Sequence, residues 1–235
     1  MKIGIIGAGH IGGVLARRLK QLGHDVTVAN SRGPETLKGL AMETGARAGT
    51  VTEAARDKDV VIVTIPEKSV PELPKGLFDN SHAVVVDTGN YYPQRDGRIG
   101  AIESGTAESR WVSQQLGRPV VKAFNTIQFS HLQQSGRPAG DRERIALPVA
   151  GDDPNAKAVV SHLIDELGST RWTRAGWTTR GVSSPACRFT GLTLRRTRLA
   201  ERWRMRTGPP DRRTITNWLT TEVTEDTEKG FGSSP

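Results

Sequence analysis

A single cysteine, Cys187, stands among the 235 residues, so the chain cannot close a disulfide on itself and is not a miniature stapled scaffold. Long hydrophobic runs are missing too. The longest apolar stretches, residues 60–65 and 83–86, fall far short of the ~18 residues a membrane helix needs. The opening MKIGIIGAG runs straight into a strand-like stretch with no signal-peptide layout. A soluble, cytoplasmic protein is the expectation. At 25.5 kDa the chain is long enough for one large domain with a buried core, or one domain and a small appendage.

The charge is of one sign only in part of the chain. A net of +8 would ordinarily suggest an anionic partner such as nucleic acid. From Ser169 to the end, however, there are 13 Lys and Arg against 6 Asp and Glu, whereas residues 1–168 carry 20 against 19. Four of the five tryptophans (Trp172, Trp177, Trp203 and Trp218) also fall in the later part. The two segments are unlike and have to be read separately.

The first segment alternates strand and helix patterns. Lys2–Ile6 is apolar and is followed by Gly7-Ala8-Gly9-His10-Ile11-Gly12, and residues 11–22 then place Ile11, Val14, Leu15, Leu19 and Leu22 at helical spacing before Gly23. Residues 26–29 predict a second strand, and Pro34 opens a helix over 35–44. Thr52 is the expected cap of a short turn at 53–56. Residues 60–65 are too continuously apolar for a strand with one wet face, which predicts a parallel sheet covered by helices on both sides. Residues 83–87, 120–123 and 145–150 repeat the strand pattern. Helices are predicted between and after them at 107–116, 127–135 and 155–167, the last capped by Asp152 or Asp153 with Pro154 at its start. A doubly wound, Rossmann-like α/β sheet follows from this alternation.

The chemistry gathers at the strand ends. Gly7, Gly9 and Gly12 form a G-x-G-x-x-G run that follows a strand and opens a helix, the setting in which the backbone can approach a pyrophosphate at a helix N-terminus. Ala8, His10 and Ile11 belong to the same cofactor-binding loop. His10 reads as solvent-facing rather than catalytic. His24, His82, His131 and His162 have no metal-ligand spacing, so no metal is expected. At the end of the second strand, Asn30-Ser31-Arg32-Gly33 lacks the acid that would receive the ribose hydroxyls of NAD. A hydroxyl at Ser31 and a guanidinium at Arg32 suit the 2′-phosphate of NADP.

The segments GIIGAGHIGG, ANSRGPETL, VTIPEKSV, VVVDTGNYYP and VVKAFNTI together resemble the NADPH-dependent oxidoreductases of the deazaflavin coenzyme F420, over residues 1–168. That resemblance implies that Thr64, Ile65 and Pro66 line the nicotinamide ribose side. It also implies that Thr88, Gly89, Asn90, Ala123, Phe124 and Asn125 border a cleft where hydride passes to coenzyme F420 as co-substrate. Lys122 and Phe124 read equally well as a snorkelling strand-end lysine and a packing phenylalanine. Hydride transfer of this kind needs ring positioning and exclusion of water more than an acid or base. In keeping with that, the shared segments show no Ser/His/Asp constellation, no paired-carboxylate signature and no nucleophilic cysteine.

Beyond Gly168 the resemblance stops. Residues 169–213 hold 12 arginines, no lysine, and only Glu201 and Asp211 as acids, with no period of 2 or 3.6. The expected organisation is therefore an NADP-binding domain at 1–168 and an atypical, largely irregular and mobile Arg-rich tail at 169–235. A one-base shift of reading frame near codon 168 accounts for the break. With GC-rich codons the shifted frame from Ser169 to Thr193 restores a strand, an acidic turn and a Ser-Trp-Arg-Gln segment like those the family shows there. A genuine tail with interleaved aromatics and cations would instead suit nucleic acid. Neither membrane nor nucleic acid is the expected partner; a small-molecule co-substrate is, and the family resemblance implies a homodimer. Three functions stay open: hydride exchange between NADP(H) and the deazaflavin, NADP-dependent reduction of another small acceptor (an imine, a flavin or a ferric chelate), and a non-catalytic NADP-binding module.

Overall fold

In the computed structural model of the chain, residues 1–172 are described. The secondary structure runs β1 (Lys2–Ile6), α1 (His10–Gln21), β2 (Asp25–Ala29), α2 (Lys38–Thr44), β3 (Arg47–Ala48), α3 (Val51–Ala55), β4 (Val60–Val63) and β5 (Val84–Asp87). It continues with the single turns α4 (Pro93–Asp96) and α5 (Gly100–Glu103), then α6 (Glu108–Leu116), β6 (Val120–Lys122), α7 (Phe129–Gln134), β7 (Ala146–Pro148), α8 (Pro154–Glu166) and β8 (Thr170–Trp172). Two 3-10 segments, Pro34–Leu37 and Glu67–Glu72, lead into α2 and out of β4.

Six strands form one parallel sheet in the order β3-β2-β1-β4-β5-β6. This is the doubly wound order in which the chain reverses direction of travel between β1 and β4, leaving a crevice at the carboxyl ends of those two strands. Alternation within the strands sends side chains to two cores. Ile3, Ile5, Val60 and Ile62 pack on one face with Val14, Leu15, Leu132 and Leu163 of α1, α7 and α8. Ile6, Val61, Val63 and Val85 pack on the other with Ala54, Val70, Trp111 and Val112. Both faces are dry, which is why β4 reads as an unbroken apolar run.

Several expectations need correction. The helix expected over 35–44 is split, a 3-10 turn at Pro34–Leu37 preceding α2. Helix α3 starts at Val51 and its cap is Thr50, not Thr52. The Thr50 hydroxyl accepts from Glu53 N–H (3.2 Å) while the Glu53 carboxylate accepts from Thr50 N–H (2.7 Å), a reciprocal capping box. Strand β7 does not join the main sheet. Lys122 and Ala150 exchange both backbone hydrogen bonds (2.7 and 3.0 Å) in one antiparallel bridge, which occupies the free edge of β6, and β7 pairs instead with β8. The irregular tail was expected from Ser169, yet Ser169 is buried and Thr170–Trp172 form a strand, because backbone bonds from Thr170 N–H to Ile145 (2.7 Å) and from Val149 N–H to Trp172 (3.2 Å) build it without any apolar period. The rest of the segment expected to be an irregular Arg-rich tail after a frame shift near codon 168, residues 173–235, lies outside the described residues. Asp153 caps α8, as one of the two expectations had it, accepting from Asn155 N–H at 2.8 Å. Among the described residues no helix is long and apolar enough to cross a membrane.

Candidate functional site

The turn between β1 and α1 sits at the crevice, and its three glycines have three different reasons to be there. Gly7 has φ +110°, and a Cβ on it would come within 2.3 Å of the Thr64 carbonyl oxygen. Gly12 lies in α1, where a Cβ would meet the Gly7 carbonyl at 1.9 Å and the Thr64 methyl at 2.9 Å. Both are forced by close packing of the loop on the end of β4. Gly9 is different: it caps α1 with no side-chain hydrogen bond, its φ of −74° suits any residue, and a Cβ on it would meet no protein atom within 4 Å. The space in front of Gly9, at the positive end of a twelve-residue helix, is open. That is where a ligand's phosphates could reach the backbone, and it fits a dinucleotide. Ala8 and Ile11 are half-buried against the core, and His10 is exposed. The His10 ring stacks on Phe129 at the start of α7, with centroids 4.6 Å apart and planes at 17°.

Next to β1, on the side away from β4, β2 ends in a compact polar turn. The Asn30 carbonyl oxygen accepts from Arg32 N–H (3.0 Å), its amide donates to the Thr36 hydroxyl (2.8 Å), and that hydroxyl donates to the Gly33 carbonyl (2.9 Å). With Asn30 used in shaping the turn, Ser31 and Arg32 are left exposed, and no acid among the described residues pairs with the Arg32 guanidinium.

The other half of the sheet edge is stitched together. Thr88 N–H donates to the Val63 carbonyl (3.1 Å) and so does its hydroxyl (3.3 Å), while Ala123 N–H donates to the Asp87 carbonyl (3.1 Å). The Asn90 amide donates to the Asn125 carbonyl (2.8 Å). Thr64, Ile65 and Pro66 at the end of β4 are half-exposed, as are Gly89, Asn90 and Asn125. Phe124 has φ +62°, so the backbone turns sharply there, and its ring is in the core with Leu132, Ile145 and Leu163. The packing alternative therefore holds for the Phe124 ring; its backbone shapes the edge.

Beneath this edge lies a cluster that motif reading missed. Lys122 does not snorkel: it is 4% exposed, and its Nζ donates to Asp87 Oδ2 at 2.8 Å. The same Nζ is 3.9 Å from Glu67 Oε1 and 3.9 Å from Glu108 Oε2. Burial would lower the ammonium's pKa, but Asp87, Glu67 and Glu108 outweigh it and the pKa is raised. Asp87 is fully used, its Oδ1 accepting from Gly89 N–H at 2.8 Å. Glu67 is 1% exposed and neither carboxyl oxygen has a hydrogen-bond partner among the described residues. Burial first, and then the neighbouring Asp87, push its pKa up to about 8 against the opposing pull of Lys122. So paired carboxylates do exist here, supplied by residues far apart in sequence. The one hint was a Glu immediately after the Thr-Ile-Pro end of β4 together with an Asp ending β5. Among the described residues no group of His, Cys, Asp and Glu is placed to hold a metal ion.

Comparison with known proteins finds chains of similar sequence and fold. A hypothetical protein from Sinorhizobium meliloti is 27% identical with a TM-score of 0.67, over 83% of this chain and 96% of that one. A candidate F420 dependent NADP-reductase from Arthrobacter sp. FB24 is 24% identical with a TM-score of 0.59, over 78% of this chain and 89% of that one, a likeness of fold. Glycerol-3-phosphate dehydrogenase (NAD(P)+) 2 of Lactobacillus delbrueckii subsp. bulgaricus is 24% identical over 77% of this chain, which spans 66% of that enzyme's length, just under two thirds. The family profile itself covers the glycine loop, the Asn30–Gly33 turn and the strand ends as far as Tyr91. Residues 2–91 match the model of the family described as NADP oxidoreductase, coenzyme F420-dependent.

Proposed function

We propose that this chain is an oxidoreductase that passes a hydride between NADP(H) and the deazaflavin coenzyme F420. The observation that carries the reading is the pair of unfilled positions at the adjacent ends of β1 and β2: the open helix N-terminus at Gly9 and the guanidinium of Arg32, which pairs with no acid among the described residues, within a segment that matches the F420-dependent family. Bound NADP(H) would supply the hydride from, or take it to, its nicotinamide. Gly7 shapes the turn, its own N–H committed to the Ala29 carbonyl (2.8 Å), and Ala8, Gly9, His10, Ile11 and Gly12 offer the pyrophosphate their backbone N–H groups. Asn30 shapes the turn that presents Ser31 and Arg32 to the 2′-phosphate. Thr64, Ile65 and Pro66 lie on the nicotinamide ribose side. Gly89, Asn90 and Asn125, with Thr88 at its edge, form the wall against which the acceptor ring is set; Ala123 and Phe124, expected to border the cleft, are 0% and 1% exposed and support that wall from the core instead. The protein's work is orientation and exclusion of water.

A titration with NADPH, NADH and F420 tests this. NADPH is expected to bind more tightly than NADH and to bleach the deazaflavin absorbance. Arg32→Ala should cost NADPH about 1.5–3 kcal/mol, roughly 10- to 100-fold in affinity, and leave NADH nearly unchanged. A wild-type preference for NADH would refute the 2′-phosphate assignment. NADPH binding with no deazaflavin reduction would move the function to another small acceptor or to a non-catalytic module.

A further inference from the structure

The charges in the buried cluster do not balance. Asp87 has a donor on each oxygen, Gly89 N–H on Oδ1 and Lys122 Nζ on Oδ2. Glu67 has none, and the nearest ammonium is 3.9 Å away. Lys122 on β6 faces Asp87 on β5, Glu108 on α6 and Glu67, so one cation meets three carboxyls. On α4, Asp96 also bears on Glu67, but Arg95 is committed to Asp96 and to the Asn90 carbonyl (2.6 Å). A buried carboxylate without a donor is costlier than a buried carboxylic acid. The Glu67 carboxyl is also in contact with the cleft wall: a Cβ on Gly89 would lie 2.4 Å from Glu67 Oε1 and 3.2 Å from Asp87 Oδ1. Only glycine lets the turn settle on this carboxyl.

We propose that Glu67 is a positioning residue: its neutral, protonated carboxyl, seated between Lys122 and the Cα of Gly89, fixes the Thr88-Gly89-Asn90 turn, and ionisation of that carboxyl releases the turn. An ionised Glu67 competes with Asp87 for the Lys122 ammonium. As Asp87 Oδ2 loses its donor, the carboxylate is free to rotate and Oδ1 no longer holds Gly89 N–H in place. The Thr88 bonds to Val63 and the Asn90 bond to Asn125 carry the shift to the strand ends on either side. The importance of this turn for hydride transfer rests on the cofactor reading above; the state of the carboxyl does not.

The first test needs no ligand. Infrared spectra of wild type minus Glu67→Gln are expected to show a protonated-carboxyl carbonyl band at pH ~6.5 that disappears through about pH 8. Deuterium uptake by residues 87–91, compared at equal pH, should match between the two proteins at pH ~6.5 and be about threefold faster in wild type at pH ~9. Absence of the band at the lower pH, or identical uptake at both pH values, overturns the proposal. With NADPH, wild type should lose about threefold in affinity relative to Glu67→Gln between the same pH values, whereas Glu67→Ala, which leaves a void under Gly89, should be weaker at both. If wild type binds no NADPH at either pH, the cofactor reading fails while the spectra and the exchange still decide the role of Glu67.

Discussion

The two halves of the sheet's carboxyl edge are built on opposite plans. On the β1–β2 side the groups available to a ligand are exposed and short of partners: the Gly9 cap, Ser31 and Arg32. On the β5–β6 side the strand-end charges of Asp87 and Lys122, with Glu67, are buried and turned inward on one another. One half is organised to receive an anion, and the other to hold a wall still. The difference also sets the sign of their response to pH. Glu53, in the capping box of α3, has its pKa lowered by the backbone and side-chain hydrogen bonds of Thr50, so its contribution is present above the unfolded carboxylate range and is lost on acidification. Glu67 has its pKa raised, so its contribution is complete below the unfolded value, falls as pH rises to about 8, and is level above that.

The largest effect is expected on the buried side. Lys122→Met removes the one cation that the described residues supply to the cluster and leaves Asp87 beside Glu67 uncompensated, which should cost about 3–5 kcal/mol at pH ~7 and lower Tm by about 10 °C. The loss should shrink in acid, where the carboxyls can be neutralised. A loss that is flat with pH would show that Lys122 matters for packing and not for charge. A smaller effect, and one split between stability and binding, is expected on the open side. Gly12→Ala forces a methyl against the Gly7 carbonyl and should cost about 1–3 kcal/mol of stability along with cofactor affinity. Gly9→Ala meets no protein atom within 4 Å, so it should leave Tm within about 1 °C while weakening NADPH roughly tenfold or more. Equal stability losses in the two alanine variants would remove the distinction between a packing glycine and a ligand-facing one.

The open half was legible in the sequence because its determinants are contiguous. Gly7, Gly9 and Gly12 span six residues, the Asn30–Gly33 turn spans four, and the element periods on either side place them at strand ends. The buried half was not. Glu67, Asp87 and Lys122 come from three chain segments, and nothing in the sequence around Lys122 distinguishes a lysine that snorkels from one that meets Asp87 on the next strand and two further carboxyls from outside the sheet. Strand β7 shows the same limit: the alternation at 145–150 reports a strand, but its partner is decided by the single bridge that closes the edge of β6. The mistaken cap at Thr52 has a more local cause. Two threonines flank Val51, and only the spacing of three from Thr50 to Glu53 closes the reciprocal box. Gly4 passed unnoticed as well, although a Cβ there would lie 1.6 Å from the Ala54 carbonyl and so it sets how closely α3 lies on β1.

The smallest expected effect isolates the exposed side's response to pH. Thr50→Ala removes the hydroxyl that caps α3 and that also donates to Glu53 (2.9 Å), while the backbone bond from residue 50 to the Glu53 carboxylate is retained. Loss of the cap should cost about 1 kcal/mol, or roughly 2–4 °C in Tm, at neutral pH. Because the hydroxyl stabilises the ionised carboxylate, the difference from wild type should narrow as pH falls through the carboxylate range. Glu67→Gln should behave in the opposite sense, gaining on wild type as pH climbs from about 4 to about 8 and holding that gain beyond it. Thermal unfolding of both variants across that range therefore gives two curves of opposite slope if the two halves differ as described. Parallel curves would mean that Glu67 shares its site's charge as Glu53 does, and that the inward-facing cluster is wetter and better paired than its geometry shows.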